Sequence, residues 1–258
     1  MDYKNNLPIA VIDSGVGGLS VLRELIKIMP NENYYYFGDN LNAPYGTKTC
    51  AEVLDLTRKN LNTLTSLGIK ALVIACNTAT SAAAKILREE YPDLPIIGIE
   101  PAIKPALAAG NNQKVLVMAT PLTLREEKFL SLVDRYATQE QVIALSCEGL
   151  VELIEKGELD SPQIVDYLEK LLSPYKNIKI DAVVLGCTHY PHIKSLISRF
   201  FPESTKIFDG GEGTARQTRK RLCELDMLNP QAEKGYVKLM FSLPTKENSE
   251  LSRRLLEH

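Results

Sequence analysis

The stretch Leu72-Val73-Ile74-Ala75-Cys76-Asn77-Thr78 is written again, in altered form, as Val183-Val184-Leu185-Gly186-Cys187-Thr188-His189. Each copy is a short, β-branched apolar run that stops at a cysteine, passes through small polar residues and opens a helix-like segment. A run apolar at every position belongs to a strand covered on both faces, as in parallel sheets flanked by helices. Ligands of open α/β sheets sit at the carboxyl ends of the strands. The repeat therefore predicts an α/β fold of two pseudo-symmetric lobes with mainly parallel sheets, each delivering a thiol to a cleft between them. The positive end of a following helix would stabilise a thiolate or a bound carboxylate there.

Read in order, Ile9-Ala10-Val11-Ile12 is a buried strand ended by Asp13-Ser14-Gly15-Val16-Gly17-Gly18, and Leu19, Leu22, Leu25 and Ile26 recur at helical spacing. The glycines let backbone N–H groups approach an anion, and Asp13 stands at the strand end. A dinucleotide fingerprint is the rival, with Asp39 as ribose-binding acid, but Ser20 occupies the position of the third glycine. Tyr34–Phe37 reads as the second strand, followed by the loop Pro44-Tyr45-Gly46 and a helix over about 49–67 that Gly68 stops. After Ile96–Ile99 the alternation restarts. Val115–Met118 leads into Ala119-Thr120-Pro121, a third strand end with hydroxyls, and helices are expected over about 122–136, 149–156 and 162–172. Lys206-Ile207-Phe208 runs into Asp209-Gly210-Gly211, an echo of the first glycine loop, then a helix over about 214–225 and an edge strand at Val237–Phe241. The expected lobes are 1–97 with 208–258, and 98–207.

With 258 residues, 45% hydrophobic, 24% charged and a net charge of −2, the composition is that of an ordinary globular protein. Neither a basic excess nor a stripe points to nucleic acid; Arg216–Arg221 reads as the solvated face of a helix. No apolar run reaches the ~18 residues of a membrane span, and only eight residues precede the first strand, so no membrane association is expected and the location is cytoplasmic. Five cysteines without paired spacing fit a reducing compartment. Cys50, Cys147 and Cys223 lack the strand-end setting and are expected to be packing residues. Leu256-Glu257-His258 resembles a tag remnant, which removes His258 from site reasoning.

Three chemistries compete for the cysteines. Zinc held by Cys76, Cys187, His189 and His192 lacks the C-x-x-C knuckles of structural sites. A thiol nucleophile with His189 as base leaves one cysteine unexplained. Inverting a carbon centre uses both, because it needs two acid/base groups on opposite faces of a flat carbanion, one protonated and one not. Thiols, with an ordinary pKa of about 8.5, can hold either state near neutrality. Asp13 and His189 are near enough in pattern to adjust them.

The ordered stretches Asp13-Ser14-Gly15-Val16-Gly17-Gly18, Pro44-Tyr45-Gly46, Ala75-Cys76-Asn77-Thr78-Ala79 and Gly186-Cys187-Thr188-His189-Tyr190-Pro191 resemble those of the glutamate racemases, over nearly the whole chain. The resemblance implies the aspartate/glutamate racemase fold, no cofactor or metal, D-glutamate supplied for peptidoglycan, and a homodimer. It implies that Cys76 deprotonates D-glutamate and Cys187 L-glutamate, assisted by Asp13 and His189. Ser14, Tyr45, Gly46, Asn77, Thr78 and Thr188, together with Asp13 and His189, would hold the substrate. An assisting glutamate is carried onto Glu155, with Glu152 as the other candidate; acids at the spacing of Glu148, Glu152 and Glu155 otherwise read as a solvated face. Asn40, Asn42, Ala119 and Gly210 depart from the family pattern. The short leader implies no activation by a peptidoglycan precursor. A racemase of another acidic amino acid such as aspartate, or a non-catalytic amino-acid-binding protein, are the alternatives.

Overall fold

The computed structural model describes residues 3–110, 113–137 and 141–257; His258 lies outside them. Two sheets form, both wholly parallel. The first contains β1 (Ile9–Asp13), β2 (Tyr34–Gly38), β3 (Ala71–Ile74), β4 (Ile96–Gly98) and β9 (Val237–Phe241), in the order β4-β3-β1-β2-β9. The second contains β5 (Val115–Ala119), β6 (Val142–Ser146), β7 (Ala182–Leu185) and β8 (Lys206–Asp209), in the order β6-β5-β7-β8. Helices cover them in chain order: α1 (Leu19–Ile28), α2 (Cys50–Ser66), α3 (Asn77–Glu90), α4 (Ile103–Ala108), α5 (Pro121–Arg125), α6 (Glu127–Tyr136), α7 (Leu150–Glu155), α8 (Pro162–Leu172), α9 (Lys194–Ser198), α10 (Gly211–Glu224) and α11 (Lys246–Glu257).

Alternate residues of each central strand enter opposite cores, which is why these runs carry no polar positions. Ile9 and Val11 of β1 join one apolar cluster with α1, α10 and α11, whereas Ala10 and Ile12 join another with α2 and α3. In the second sheet Leu116 and Met118 of β5 pack with Val183 and Leu185 of β7, while Val115 and Val117 pack with Ala182 and Val184 on the other face.

Helix ends follow local chemistry. Thr49 caps α2 in a reciprocal capping box with Glu52, and Gly68, at φ +76°, ends the turn beyond it. The expected helix over 122–136 is two helices, because Glu126 leaves the helical region (ψ 139°) between α5 and α6. The expected edge strand at Val237–Phe241 pairs in parallel with β2. Basic residues of α10 pair with acids of the same helix, Arg216 with Glu212 and Arg221 with Glu224, as a solvated face requires. Two expectations for the other cysteines fail. Cys147 follows the unforeseen strand β6 and so does stand at a strand end, and Cys50 and Cys223 are exposed. Among the described residues no helix is long and apolar enough to cross a membrane.

Candidate active site

In the first sheet the chain crosses over between β2 and β3, so that β1 and β3 flank the point where strand order reverses; in the second, β5 and β7 flank the equivalent point. Such switch points open a crevice outside the carboxyl ends of the strands. Cys76 follows β3 and Cys187 follows β7. One cavity takes lining from both, bounded by Ser14, Tyr45, Gly46, Cys76, Asn77 and Thr78 from the first set of strand ends and by Thr120, Gly186, Cys187, Thr188 and His189 from the second. Its volume is about 10 Å³, room for a single water.

The two thiols have different neighbours. Cys76 caps α3, its sulfur accepting from Ala79 N–H at 3.5 Å and lying 3.9 Å from Ser14 Oγ. Burial dominates over that helix end and, with the charge of Asp13, pushes the thiol up to about 12. The expectation of a helix-stabilised thiolate is thus reversed at Cys76. Cys187 has no helix immediately behind it, since Thr188 and His189 lead into a short 3₁₀ turn, Tyr190–Ile193. Its neighbour is the His189 ring, with Nδ1 3.7 Å from the sulfur.

Glu155 Oε1 completes this arm, 2.6 Å from His189 Nε2 and accepting from Val16 N–H at 2.9 Å. Burial disfavours the imidazolium, but the hydrogen bonds to Cys187 and Glu155 and the Glu155 charge win, so His189 titrates well above its ordinary range. Burial likewise pushes Glu155 up, and His189 outweighs it, leaving the carboxyl below its usual range. Glu148 and Glu152, by contrast, face solvent. Asp13, 2% exposed, accepts from Gly15 N–H at 3.0 Å and from Thr188 Oγ1 at 2.9 Å. Burial raises its pKa despite the opposing charge of His189.

Thus the structure brings Cys76, Cys187, Asp13, His189 and Glu155 around one cleft, with Ser14, Tyr45, Gly46, Asn77, Thr78 and Thr188 beside them. Asn77 Oδ1 is buried there without a hydrogen-bond partner. Tyr45 donates to Asp39 Oδ2 at 2.6 Å, and Asn60 bridges the two, which fixes the loop carrying Gly46. The dinucleotide acid of the rival reading is therefore a buried anchor for this loop. Thr120 and Thr123 were not foreseen as site residues; their hydroxyls sit 3.1 Å from that of Thr78 across the cleft. The signal was present, since Thr120 follows β5 as Cys187 follows β7. His192 turns away from the thiols toward the Gly17 carbonyl, and among the described residues no three His, Cys, Asp or Glu side chains are arranged to hold a metal ion.

Residues 9–218 match the family model for Asp/Glu/hydantoin racemases. Over 256 residues the chain is 48% identical to a glutamate racemase of Clostridium perfringens, spanning 99% of this chain and 98% of that one. A solved glutamate racemase isoform from Bacillus anthracis superposes with a TM-score of 0.88 at 29% identity, covering 98% of this chain and 95% of the other. The Francisella tularensis glutamate racemase in complex with D-glutamate gives 0.85 at 28% identity, with the same coverage.

Proposed function

The chain belongs to the Asp/Glu/hydantoin racemase family, among the glutamate racemases, and we propose that it interconverts L- and D-glutamate by a two-base reaction. In the L-to-D direction the Cys187 thiolate takes the α-hydrogen and the Cys76 thiol delivers its proton to the opposite face of the carbanion. This leaves Cys187 protonated and Cys76 as thiolate. Proton exchange through His189 and Asp13 resets the pair, and the D-to-L direction runs the same steps in reverse. The observation that carries this reading is the pair of strand-end thiols lining one cavity from two lobes. The charged His189, steadied by Glu155, is within hydrogen-bond reach of Cys187 and can exchange its proton. Asn77 Oδ1, unpartnered and 5% exposed in its residue, can accept from the substrate ammonium. Glutamate exceeds a cavity of about 10 Å³, so the lobes part to admit it.

The same reading includes D-glutamate destined for peptidoglycan, a cytoplasmic location, and a homodimer, which sedimentation at micromolar protein would detect as twice the chain mass. To test the reaction, each glutamate enantiomer is incubated in D₂O with chelator-treated, dialysed protein, and the α-proton NMR signal and circular dichroism are followed together. Loss of both signals from both enantiomers is expected, and persistence of the circular dichroism of both enantiomers with Cys76→Ala or Cys187→Ala. Exchange with aspartate but not glutamate would redirect the substrate. Binding of glutamate without α-hydrogen exchange would leave only an amino-acid-binding protein.

A further inference from the structure

The two sides of the cleft are tied by different groups. On the Cys187 side, among the described residues, hydrogen bonds join the glycine loop after β1 and the start of α1 to the second lobe: Glu155 with Val16 N–H, Thr188 with Asp13, Ser20 with the Thr188 carbonyl at 2.9 Å, and His192 with the Gly17 carbonyl at 3.1 Å. Ser20 and His192 have no part in the proton transfers above. Ser20 stands where a dinucleotide loop would carry its third glycine, and its hydroxyl is shared between the carbonyls of Gly17, at 2.8 Å, and Thr188. Glycine could make neither bond. The atom of His192 that faces the Gly17 carbonyl is Nε2, which must therefore carry a hydrogen.

What these bonds hold is the floor beneath His189. A Cβ on Gly17 would lie 2.4 Å from His189 Nδ1 and 2.7 Å from Thr188 Oγ1, so the peptide at Gly17 is in direct contact with the ring edge that faces the Cys187 sulfur. The Cys76 side is tied by other groups, the hydroxyl cluster of Thr78, Thr120 and Thr123 and, at the surface, Cys50 donating to Glu126 at 2.8 Å. We propose that His192 and Ser20 are positioning residues for the Cys187 half of the reaction, clamping the glycine loop against the Thr188-His189 turn so that His189 Nδ1 stays aimed at Cys187. This rests on the two-thiol racemase reading.

Loosening the clamp should slow hydrogen transfer at Cys187 more than at Cys76. Because the enantiomers have equal free energies, kcat/KM must remain equal in the two directions, and the asymmetry shows in isotope effects. The test compares wild type, His192→Leu, His192→Gln and Ser20→Ala with L-[2-²H]- and D-[2-²H]-glutamate. In His192→Leu we expect kcat/KM to fall about 10- to 100-fold, the range for a misaligned catalytic group. The substrate isotope effect should rise with the L enantiomer, whose hydrogen Cys187 removes, and fall toward unity with the D enantiomer. His192→Gln, whose amide nitrogen can reach the same carbonyl, should restore most of the rate. Ser20→Ala should show the same asymmetry and carries the test if the leucine variant does not fold. Equal losses with isotope effects unchanged for both enantiomers, no loss at all, or equal impairment by Gln and Leu would overturn the proposal. A wild-type protein that exchanges no α-hydrogen would instead overturn the racemase reading itself.

Discussion

Replacing Glu155 by glutamine keeps the side chain's shape and removes the charge that faces His189 at 2.6 Å. Loss of a close opposite charge lowers a histidine pKa by about 1 to 3 pH units, and each unit is about 1.4 kcal/mol, so the ion pair accounts for about 1.4 to 4 kcal/mol. The Glu155 side chain is 18% exposed and the His189 side chain 1%, so solvent screens the pair little. The shifts of the two partners describe one interaction and count once. His189 has a raised folded-state pKa, so its contribution is fully present below its ordinary value of 6.5 and is lost as pH rises through the folded value. Glu155 is depressed, so its contribution is present above its ordinary 4.5 and is lost as pH falls through the folded value. The stability deficit of Glu155→Gln should therefore be greatest between pH 4.5 and 6.5 and shrink on both sides. Urea unfolding of both proteins at a series of pH values, followed by far-ultraviolet circular dichroism, measures it. The alkaline limb of kcat/KM should also move to lower pH in the variant. A deficit that stays constant across the pH series would refute an ionic His189–Glu155 pair.

Gly17→Ala should cost about 100-fold or more in kcat/KM and about 1 to 3 kcal/mol in urea unfolding, because the added methyl collides with the buried His189 ring and Thr188 Oγ1. Lys70→Met should destabilise by about 3 to 5 kcal/mol in urea unfolding, since it leaves Glu32 buried and unpaired; the lysine also donates to the carbonyls of Asn5 and Met227. With the Cys76 thiol pushed up to about 12, its alkylation by iodoacetamide in Cys187→Ser should still be accelerating at pH 10, where an ordinary thiol has levelled off; a plateau near pH 9 would contradict the burial argument.

What the sequence revealed follows from how completely each segment is covered. The strands β3, β5 and β7 are apolar at every position, and β1 up to its terminal Asp13, because helices cover both faces, and each is visible as an unbroken run. At the sheet edge, β6 buries only Leu145, yet Val142-Ile143-Ala144-Leu145 is as unbroken an apolar run as β7, so burial on both faces is sufficient for such a run but not required for it. The helix α11 escaped notice because it buries only Leu251, Ser252 and Leu255 on an otherwise charged segment. The cysteines and the glycine loop were legible because chemistry at a strand end requires small or reactive residues where a core would take apolar ones. Glu155 was legible only through family resemblance. Its neighbours Glu148 and Glu152 are the same residue type on nearly the same stretch, and only the turn of α7 toward the glycine loop separates their roles.

Two thiols stand at the switch points of two sheets, yet identical surroundings would leave both in the same protonation state. A two-base inversion begins with one base protonated and the other not, so the copies must differ in charge around the sulfur. The difference lies in unlike neighbours. Cys76 has a carboxyl group, Asp13, whose charge opposes its ionisation, while Cys187 has an imidazole that Glu155 keeps charged. Thr188 joins the two arms, since its hydroxyl holds Asp13 and its chain neighbour is His189. Exchanging Asp13 for asparagine should therefore ease ionisation of Cys76 and move the alkaline rise of its alkylation to lower pH, read by peptide mapping because Cys50 and Cys223 are exposed and react too.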